Sequence, residues 1–346
     1  MNAPSLAELG WDNFFEQQRI AAASPALLPA RVMDVHRSTW HVLGPGLDTK
    51  LTPRDGLSVT VGDWLLIEPD GPRIAARLER KSLFKRRAPG TDRREQLIAA
   101  NVDTLFVVSS CNQDFNVARL ERYLAIGREA GVMLVIVLTK ADMTDAPEEF
   151  VRQAARLAPG VHVEALNALD PEQARLLEAW LGAGQTLAML GSSGVGKSTL
   201  ANTLLGGRQI DTQGIREDDA KGGHTTTART LHRLPQGAWL LDTPGMRELQ
   251  LSDAESGLKK VFAEISALAG RCRFADCTHD SEPGCAVLDA VKSGHVEADR
   301  LQRWRKLVRE EVHNRESIAE RRSREKSTGR LYKAIIGDTQ SRKGRA

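Results

Sequence analysis

The stretch Leu190–Leu200 reads LGSSGVGKSTL. Gly191, Ser192, Ser193, Gly194, Val195, Gly196, Lys197 and Ser198 fit G-x-x-x-x-G-K-[ST], and Thr199 continues into the following helical pattern. Such a loop curls backbone N–H groups around a phosphate. Glycines permit the curl, and the helix N-terminus adds a favourable dipole. Lys197 would then reach the β- and γ-phosphates, and the Ser198 hydroxyl would bind Mg²⁺. Downstream, the apolar run AWLLD ends in Asp242-Thr243-Pro244-Gly245. Asp242 is placed to hold the Mg²⁺ shell, and the Gly245 N–H to sense the γ-phosphate. Between the two lies Gly222-Gly223-His224-Thr225-Thr226-Thr227. A threonine hydroxyl from such a loop completes the Mg²⁺ shell when the γ-phosphate is present. Thr225 and Thr226 fit that role equally. After Gly245 stands Met246, where many GTPases carry a glutamine to orient water. A thioether cannot do this, so unaided hydrolysis should be slow. His224 is the candidate substitute, and a plain loop histidine is the other reading.

Thr139-Lys140-Ala141-Asp142 ends a second apolar run. Guanine offers two adjacent donors, N1–H and N2–H, and a carboxylate at Asp142 can accept both. Adenine has an acceptor at N1 and would leave Asp142 unpaired. Lys140 would lay its stem across the base. Four residues of this kind are weak alone, but beside the other motifs they favour guanine over adenine.

A separate cluster is Cys272-x4-Cys277-x-His279-x5-Cys285. Three thiolates and one imidazole fill a tetrahedral Zn²⁺ shell with no open position, which makes the site structural. The fourth cysteine, Cys111, ends an apolar run and reads as a core thiol.

These residues need a parallel sheet to hold them. DTLFVVSS (103–110), VMLVIVLTK (132–140), VHVEAL (161–166), TLAMLG (186–191) and AWLLDTPG (238–245) are near-continuous apolar runs. Amphipathic helical patterns separate them, among them one opened by Asn116 and closed by Gly131. Such alternation predicts a parallel α/β sheet covered on both faces. Each motif sits at the C-terminal end of a strand, where open α/β sheets bind ligands. The base reader precedes the phosphate loop, which rotates the usual GTPase order. A link around Gly182–Gln185 would join the old termini, and the cut would fall just after DTPG.

Upstream, residues 31–84 show short β-branched segments punctuated by Gly and Pro, the pattern of a small β-barrel of the oligonucleotide-binding kind. Residues 1–30 read as a helical extension and link, and Lys85–Gln96 as a basic linker. The chain has 346 residues and a net charge of +3. Its charge is uneven: Arg73–Arg94 holds nine Lys/Arg against two acids, and Arg300–Ala346 holds fifteen against six. A polyanionic partner and a solvated surface both fit those runs. Arg303, Arg305, Lys306 and Arg309 share that ambiguity. With neither a signal-peptide pattern nor an apolar span, a cytoplasmic protein is expected.

Taken together, VGDW in the barrel, NVDTLFVVSS, TKAD, GSSGVGKST, GHTTT, DTPG and the cysteine cluster resemble the circularly permuted ribosome small-subunit-dependent GTPase A (RsgA/YjeQ) family. The resemblance covers nearly the whole chain. It implies a multidomain α/β protein with an N-terminal extension (1–30), an OB-fold-type barrel (31–84), a permuted GTPase domain (85–248) and a helical zinc-binding domain with a basic tail (249–346). It further implies GTP and GDP as ligands, Mg²⁺ with GTP, one structural Zn²⁺, and the 30S subunit with its 16S rRNA as partner. Hydrolysis stimulated by that subunit follows from the same resemblance. No oligomer signal is visible, so a monomer is the default. The alternative is a nucleotide-gated RNA-binding protein with negligible turnover, for which Met246 speaks.

Overall fold

The structure, a computed structural model, describes residues 4–22, 26–36, 38–54, 56–71, 73–87, 95–207, 229–242, 249 and 254–315. Helix α1 (Asn13–Ala21) starts at Asp12, whose carboxylate accepts the Phe14 N–H. Five short strands follow: β1 (Leu28–Val35), β2 (Trp40–Gly44), β3 (Leu47–Leu51), β4 (Trp64–Ile67) and β5 (Ile74–Arg77). They wrap a core of their own that includes Val32, Trp40, Val42, Leu65 and Ile67. Strands β6 (Leu83–Arg87) and β7 (Glu95–Ala100) form an antiparallel hairpin.

The α/β region begins at β8 (Thr104–Ser110) and runs through α2 (Val117–Ala130), β9 (Met133–Thr139), α3 (Pro147–Leu157), β10 (His162–Ala165) and α4 (Pro171–Ala174). Beyond α4 the chain tightens into a 3-10 turn, Arg175–Trp180, and then enters β11 (Thr186–Leu190), α5 (Lys197–Leu204), β12 (Arg229–Arg233) and β13 (Trp239–Asp242). Helices α6 (Glu255–Val261), α7 (Ala263–Ala269), α8 (Ala286–Lys292) and α9 (Ala298–Arg315) complete the described chain.

Neighbours in the main sheet run β10-β9-β8-β11-β13-β12-β1-β2-β3. From β10 to β13 the pairings are parallel, as the apolar runs predict. Strand β11, which leads to the phosphate loop, lies between β8 and β13 although it comes third from last in the α/β region. That placement is the structural form of the rotated motif order. The capping signals also hold. Asn116 Oδ1 accepts the Arg119 N–H, and Gly131 closes α2 in the left-handed conformation.

Strand β12 is absent from the sequence reading, because RTLHR lacks an apolar run. It pairs antiparallel with β13 and also with β1, through Asp34↔Thr230 and Val35↔Arg229. The first half of β1 pairs with β4, and a register shift between Val32 and Asp34 separates the halves. One strand therefore carries the hydrogen-bond ladder from the N-terminal strands into the α/β sheet. A second correction concerns Lys85–Gln96. The two ends of this basic stretch are not linker but the arms of the β6–β7 hairpin, with residues 88–94 outside the described residues. Charged side chains hid the strand period. Phe84 is buried, while Lys85 and Arg86 reach across to Glu95 and Gln96.

Nor is the N-terminal stretch an appendage. Leu9 and Phe15 are buried, and Trp11 packs edge-on against Trp64. The Glu8 carbonyl accepts the Trp239 indole N–H at 2.7 Å, while its carboxylate pairs with Arg233. Behind this strap lies the buried guanidinium of Arg31. It donates to the Leu9 carbonyl at 2.6 Å, the Thr186 hydroxyl at 2.5 Å and, at 3.4 Å, the Asn101 carbonyl. Desolvation pulls its pKa down to about 10, against the opposing charge of Asp103. Removing one member of a buried charge network strands the others, at about 3–5 kcal/mol. Arg31→Ala is therefore expected to lower the unfolding free energy by about 3 kcal/mol in a urea titration. A loss under about 1 kcal/mol would show that water replaces the guanidinium without difficulty.

Candidate functional site

Three strand ends converge on one edge of the sheet. Strand β9 delivers Thr139, β11 delivers Leu190 and Gly191, and β13 delivers Asp242. The loop after β11 passes so close to β8 that a Cβ on Gly191 would collide with the Val108 carbonyl. At its far end Gly196 turns with φ +87° to start α5. The Lys197 ammonium donates to the Gly191 carbonyl at 2.8 Å and also to the Ser192 carbonyl. The loop is thus folded around its own lysine. Ser193 and Gly194 are exposed, Val195 is buried, and Ser198 and Thr199 stand half-buried in the first turn of α5.

Thr139 does more than open the base-reading motif. Its buried hydroxyl donates to the Val195 carbonyl at 2.6 Å, with the Ser109 carbonyl at 3.1 Å on the other side. The end of β9 and the loop after β11 are therefore fastened together. Lys140 follows in the left-handed conformation, φ 57°, with its ammonium 3.9 Å from Asp114. Ala141–Met143 makes a single 3-10 turn that presents Asp142 to solvent. Among the described residues no group pairs with the Asp142 carboxylate. The loop after β10 closes this end of the site. The Leu166 carbonyl accepts the Ala141 N–H at 3.3 Å, and Thr203 of α5 donates to the Ala168 carbonyl at 2.7 Å. Asp114 and Thr203 escaped the sequence reading because each contact crosses between separate elements.

Asp242 ends β13, half-buried, with its backbone paired to Thr230. His224, Thr225, Thr226 and Gly245 lie outside the described residues, as does Met246. The Ser198 hydroxyl and the Asp242 carboxylate are hard oxygens of the kind Mg²⁺ takes.

The second site lies between α7 and α8. The ligand atoms of Cys272, Cys277, His279 and Cys285 all fall within 4.8 Å of one another. A tetrahedron with Zn–S bonds of about 2.3 Å has S···S edges of about 3.8 Å. Cys272 and Cys285 are 3.8 Å apart, and His279 Nδ1 is 3.5 Å from Cys272 and 3.4 Å from Cys285. The residues fit the ion. His279 is held at φ 58°, and burial lowers its pKa, which keeps the imidazole in the neutral, ligating form. The loop between the ligands is pinned by Glu282, which accepts from the Thr278 hydroxyl and from the N–H groups of Thr278 and Asp280. Cys111 stays apart, buried in the core, and desolvation pushes its thiol up to about 11.

Part of the basic face of α9 is already engaged. Arg303 pairs with the buried Glu121, and Arg305 pairs with Asp280. Lys306 and Arg309 remain exposed.

The RsgA GTPase family profile matches residues 77–252. A relative in Vibrio vulnificus, "Small ribosomal subunit biogenesis GTPase RsgA 2", is 47% identical, covering 98% of this chain and 97% of its own. The chain belongs to the RsgA GTPase family. A Mesorhizobium japonicum relative, "Small ribosomal subunit biogenesis GTPase RsgA", is 52% identical over 90% of this chain and 92% of its own. The crystal structure of YjeQ from Thermotoga maritima superposes with a TM-score of 0.61 at 25% identity, covering 81% of this chain and 97% of that one. YloQ, described as a circularly permuted GTPase, gives a TM-score of 0.57 at 20% identity, covering 84% and 96%. An ABC transporter profile also matches residues 177–330, a span that takes in the phosphate loop but not Thr139–Asp142. The RsgA GTPase family member is thus an enzyme acting on GTP, built on a permuted chain.

Two outcomes follow from the geometry. Zinc measured by atomic absorption should be about one ion per purified wild-type chain and close to zero in Cys272→Ala. Thr139→Val, which keeps the volume and removes the hydroxyl, should weaken GDP binding by about fivefold, since a buried hydrogen bond is worth about 1 kcal/mol. Unchanged GDP affinity would mean that the Thr139–Val195 bond does not position the loop.

Proposed function

We propose that this GTPase binds the small ribosomal subunit and assists its late maturation, hydrolysing GTP slowly until the subunit stimulates it. The observation that carries the reading is the Thr139 hydroxyl on the Val195 carbonyl. It sets a guanine-selective carboxylate and a phosphate loop at a fixed separation on one sheet edge, as a single nucleotide requires. The names of the Vibrio and Mesorhizobium relatives supply the ribosomal part.

In this reading Asp142 accepts N1–H and N2–H of guanine, and Lys140 lies along the base. Backbone N–H groups of residues 191–199 hold the phosphates. Lys197 leaves the Gly191 and Ser192 carbonyls partly for the β- and γ-phosphates and neutralises charge as the bond to the γ-phosphate breaks. Water attacks in line, oriented by His224, and Thr225 or Thr226 and the Gly245 N–H register the γ-phosphate. Ser198 and Asp242 would hold Mg²⁺, which would supply Lewis-acid stabilisation of the phosphate charge. Zinc on Cys272, Cys277, His279 and Cys285 would be structural.

The division into an extension (1–30), a barrel (31–84), a GTPase domain (85–248) and a zinc domain (249–346) belongs to the same proposal. So do a monomer, a cytoplasmic location and contact with 16S rRNA through the basic stretches. No helix among the described residues is long and apolar enough to cross a membrane. Met246 favours a second reading, a nucleotide-gated RNA-binding protein with negligible turnover.

Multiple-turnover GTP hydrolysis, alone and with 30S subunits, 50S subunits or unrelated RNA, separates the two. A rise of about a hundredfold or more with 30S alone is expected, the range in which stimulated GTPases work. No rise with 30S would leave the second reading. Selectivity has its own measurement. Asp142→Asn replaces an acceptor with an amide, so it should weaken GTP and improve xanthosine triphosphate, whose base carries a carbonyl in place of the 2-amino group. Equal binding of both triphosphates before and after the change would remove Asp142 as the base reader.

A further inference from the structure

Helix α2 touches both sites. On one face Arg119 donates to the Ser192 hydroxyl at 3.3 Å, and Tyr123, one turn on, brings its own hydroxyl within 3.5 Å of the same oxygen. Ser192 is the residue whose carbonyl accepts from Lys197. Within the same turn the helix holds the C-terminal region. Glu121, fully buried, accepts from Arg300 at 2.9 Å and from Arg303 at 2.7 Å. Arg122 pairs with Glu310 of α9. Arg300 also lies over the Phe262 ring at 4.8 Å and donates to the Val261 carbonyl. Two turns further on, Glu129 accepts the Gly257 N–H at 2.7 Å, and a Cβ on Gly257 would collide with the Ala125 carbonyl. A packed helix moves as a unit, so residues 119–123 cannot shift at one site without shifting at the other.

We propose that α2 couples the phosphate loop to the C-terminal helices, with Arg119 and Tyr123 as positioning residues for Ser192 and with Glu121 and Arg122 as the anchors of α9. The proposal rests on the reading of residues 191–199 as the GTP site. The electrostatics give it direction. A buried carboxylate held by two guanidinium groups has one strongly preferred arrangement, and loss of either partner leaves it under-compensated. Docking of α9 thereby fixes where α2 stands, and α2 fixes the side chain of Ser192 beside the Lys197 ammonium. By linkage the effect is reciprocal. A γ-phosphate that draws Lys197 away from the Ser192 carbonyl alters the hold on α9 by the same factor.

The test uses the full chain loaded with zinc. Arg303→Ala and Glu310→Gln remove contacts to α2 without touching the loop. Each is expected to change the ratio of GTP-analogue to GDP affinity by about fivefold or more. Arg303→Lys, which keeps the charge on Glu121, should recover part of that change. In the Tyr123→Phe, Ser192→Ala background the same two substitutions should have little further effect. Hydrogen exchange across residues 298–308 should differ between the GDP and GTP-analogue states of the wild type and not of Glu310→Gln. Zinc content and circular dichroism check that each variant folds. Wild-type ratios in both anchor variants, or effects that simply add to those of the loop variants, would overturn the coupling and leave the nucleotide site intact. A wild-type chain that binds no guanine nucleotide would overturn the site reading, and this one with it.

Discussion

One buried guanidinium organises the meeting of four segments. Arg31 lies on β1, yet its donors go to Leu9 in the N-terminal strap, Asn101 before β8 and Thr186 at the start of β11. Its Cζ stands 5.9 Å from the centroid of the Trp64 ring of β4. A charge in such a place is stable only when every partner has arrived. Strap, N-terminal strands and central sheet therefore form together or leave a bare cation in the core. The arrangement is also specific, since carbonyl and hydroxyl partners accept a planar fork in one orientation. Asp103 completes it, binding the Thr186 N–H at 2.7 Å and supplying the opposing charge.

From that junction the chain reaches the nucleotide edge by a short route. Strand β11 starts at Thr186, against Arg31, and ends where the phosphate loop begins. Strand β12 re-enters the described structure after residues 208–228 and pairs at once with β1 through Arg229 and Thr230. The turn joining β12 to β13 is held in its own way, by Glu8 on Arg233 and Trp239. Permutation explains why these attachments matter. In the rotated chain the segment after residues 191–207 leads into β12, and the segment after β13 leads towards the C-terminal helices.

What could be read in the sequence was what obeys local rules. The parallel strands and the cysteine cluster depend on residues near one another in the chain, and both stand where their patterns placed them, with Thr139–Asp142 and residues 191–199 following strand ends as expected. Contacts between distant segments left no such trace. RTLHR carries no strand period because β12 draws its stability from β13 and β1 on its two edges. The β6–β7 arms looked like linker because lysine and arginine occupy strand positions and find Glu95 and Gln96 across the hairpin. Arg303 and Arg305 stayed open between phosphate contacts and solvated surface because charge in a sequence says nothing of its partner, and both are paired with carboxylates. Thr139 shows the opposite case. Its place in the motif was plain, but the acceptor of its hydroxyl, Val195, lies on another strand's loop.

The C-terminal helices raise the question of how a small unit keeps a defined position. Phe262, Ile265, Val287, Leu301 and Leu307 belong to the same buried cluster as Leu120 and Leu124 of α2. Two sets of side-chain contacts hold α9 on that core. On one side Trp304 packs 5.4 Å from the His279 ring, and Arg305 holds Asp280 in the ligand loop. On the other, Arg300 and Arg303 are fixed to Glu121. Helix α9 is thus clamped between the zinc ligands and α2, and the two clamps share neighbouring residues of one helix. A zinc ion held by the four ligands would fix the register of the arginines that pair with Glu121. Such a metal would act through stiffness, by leaving α9 a single way to pack.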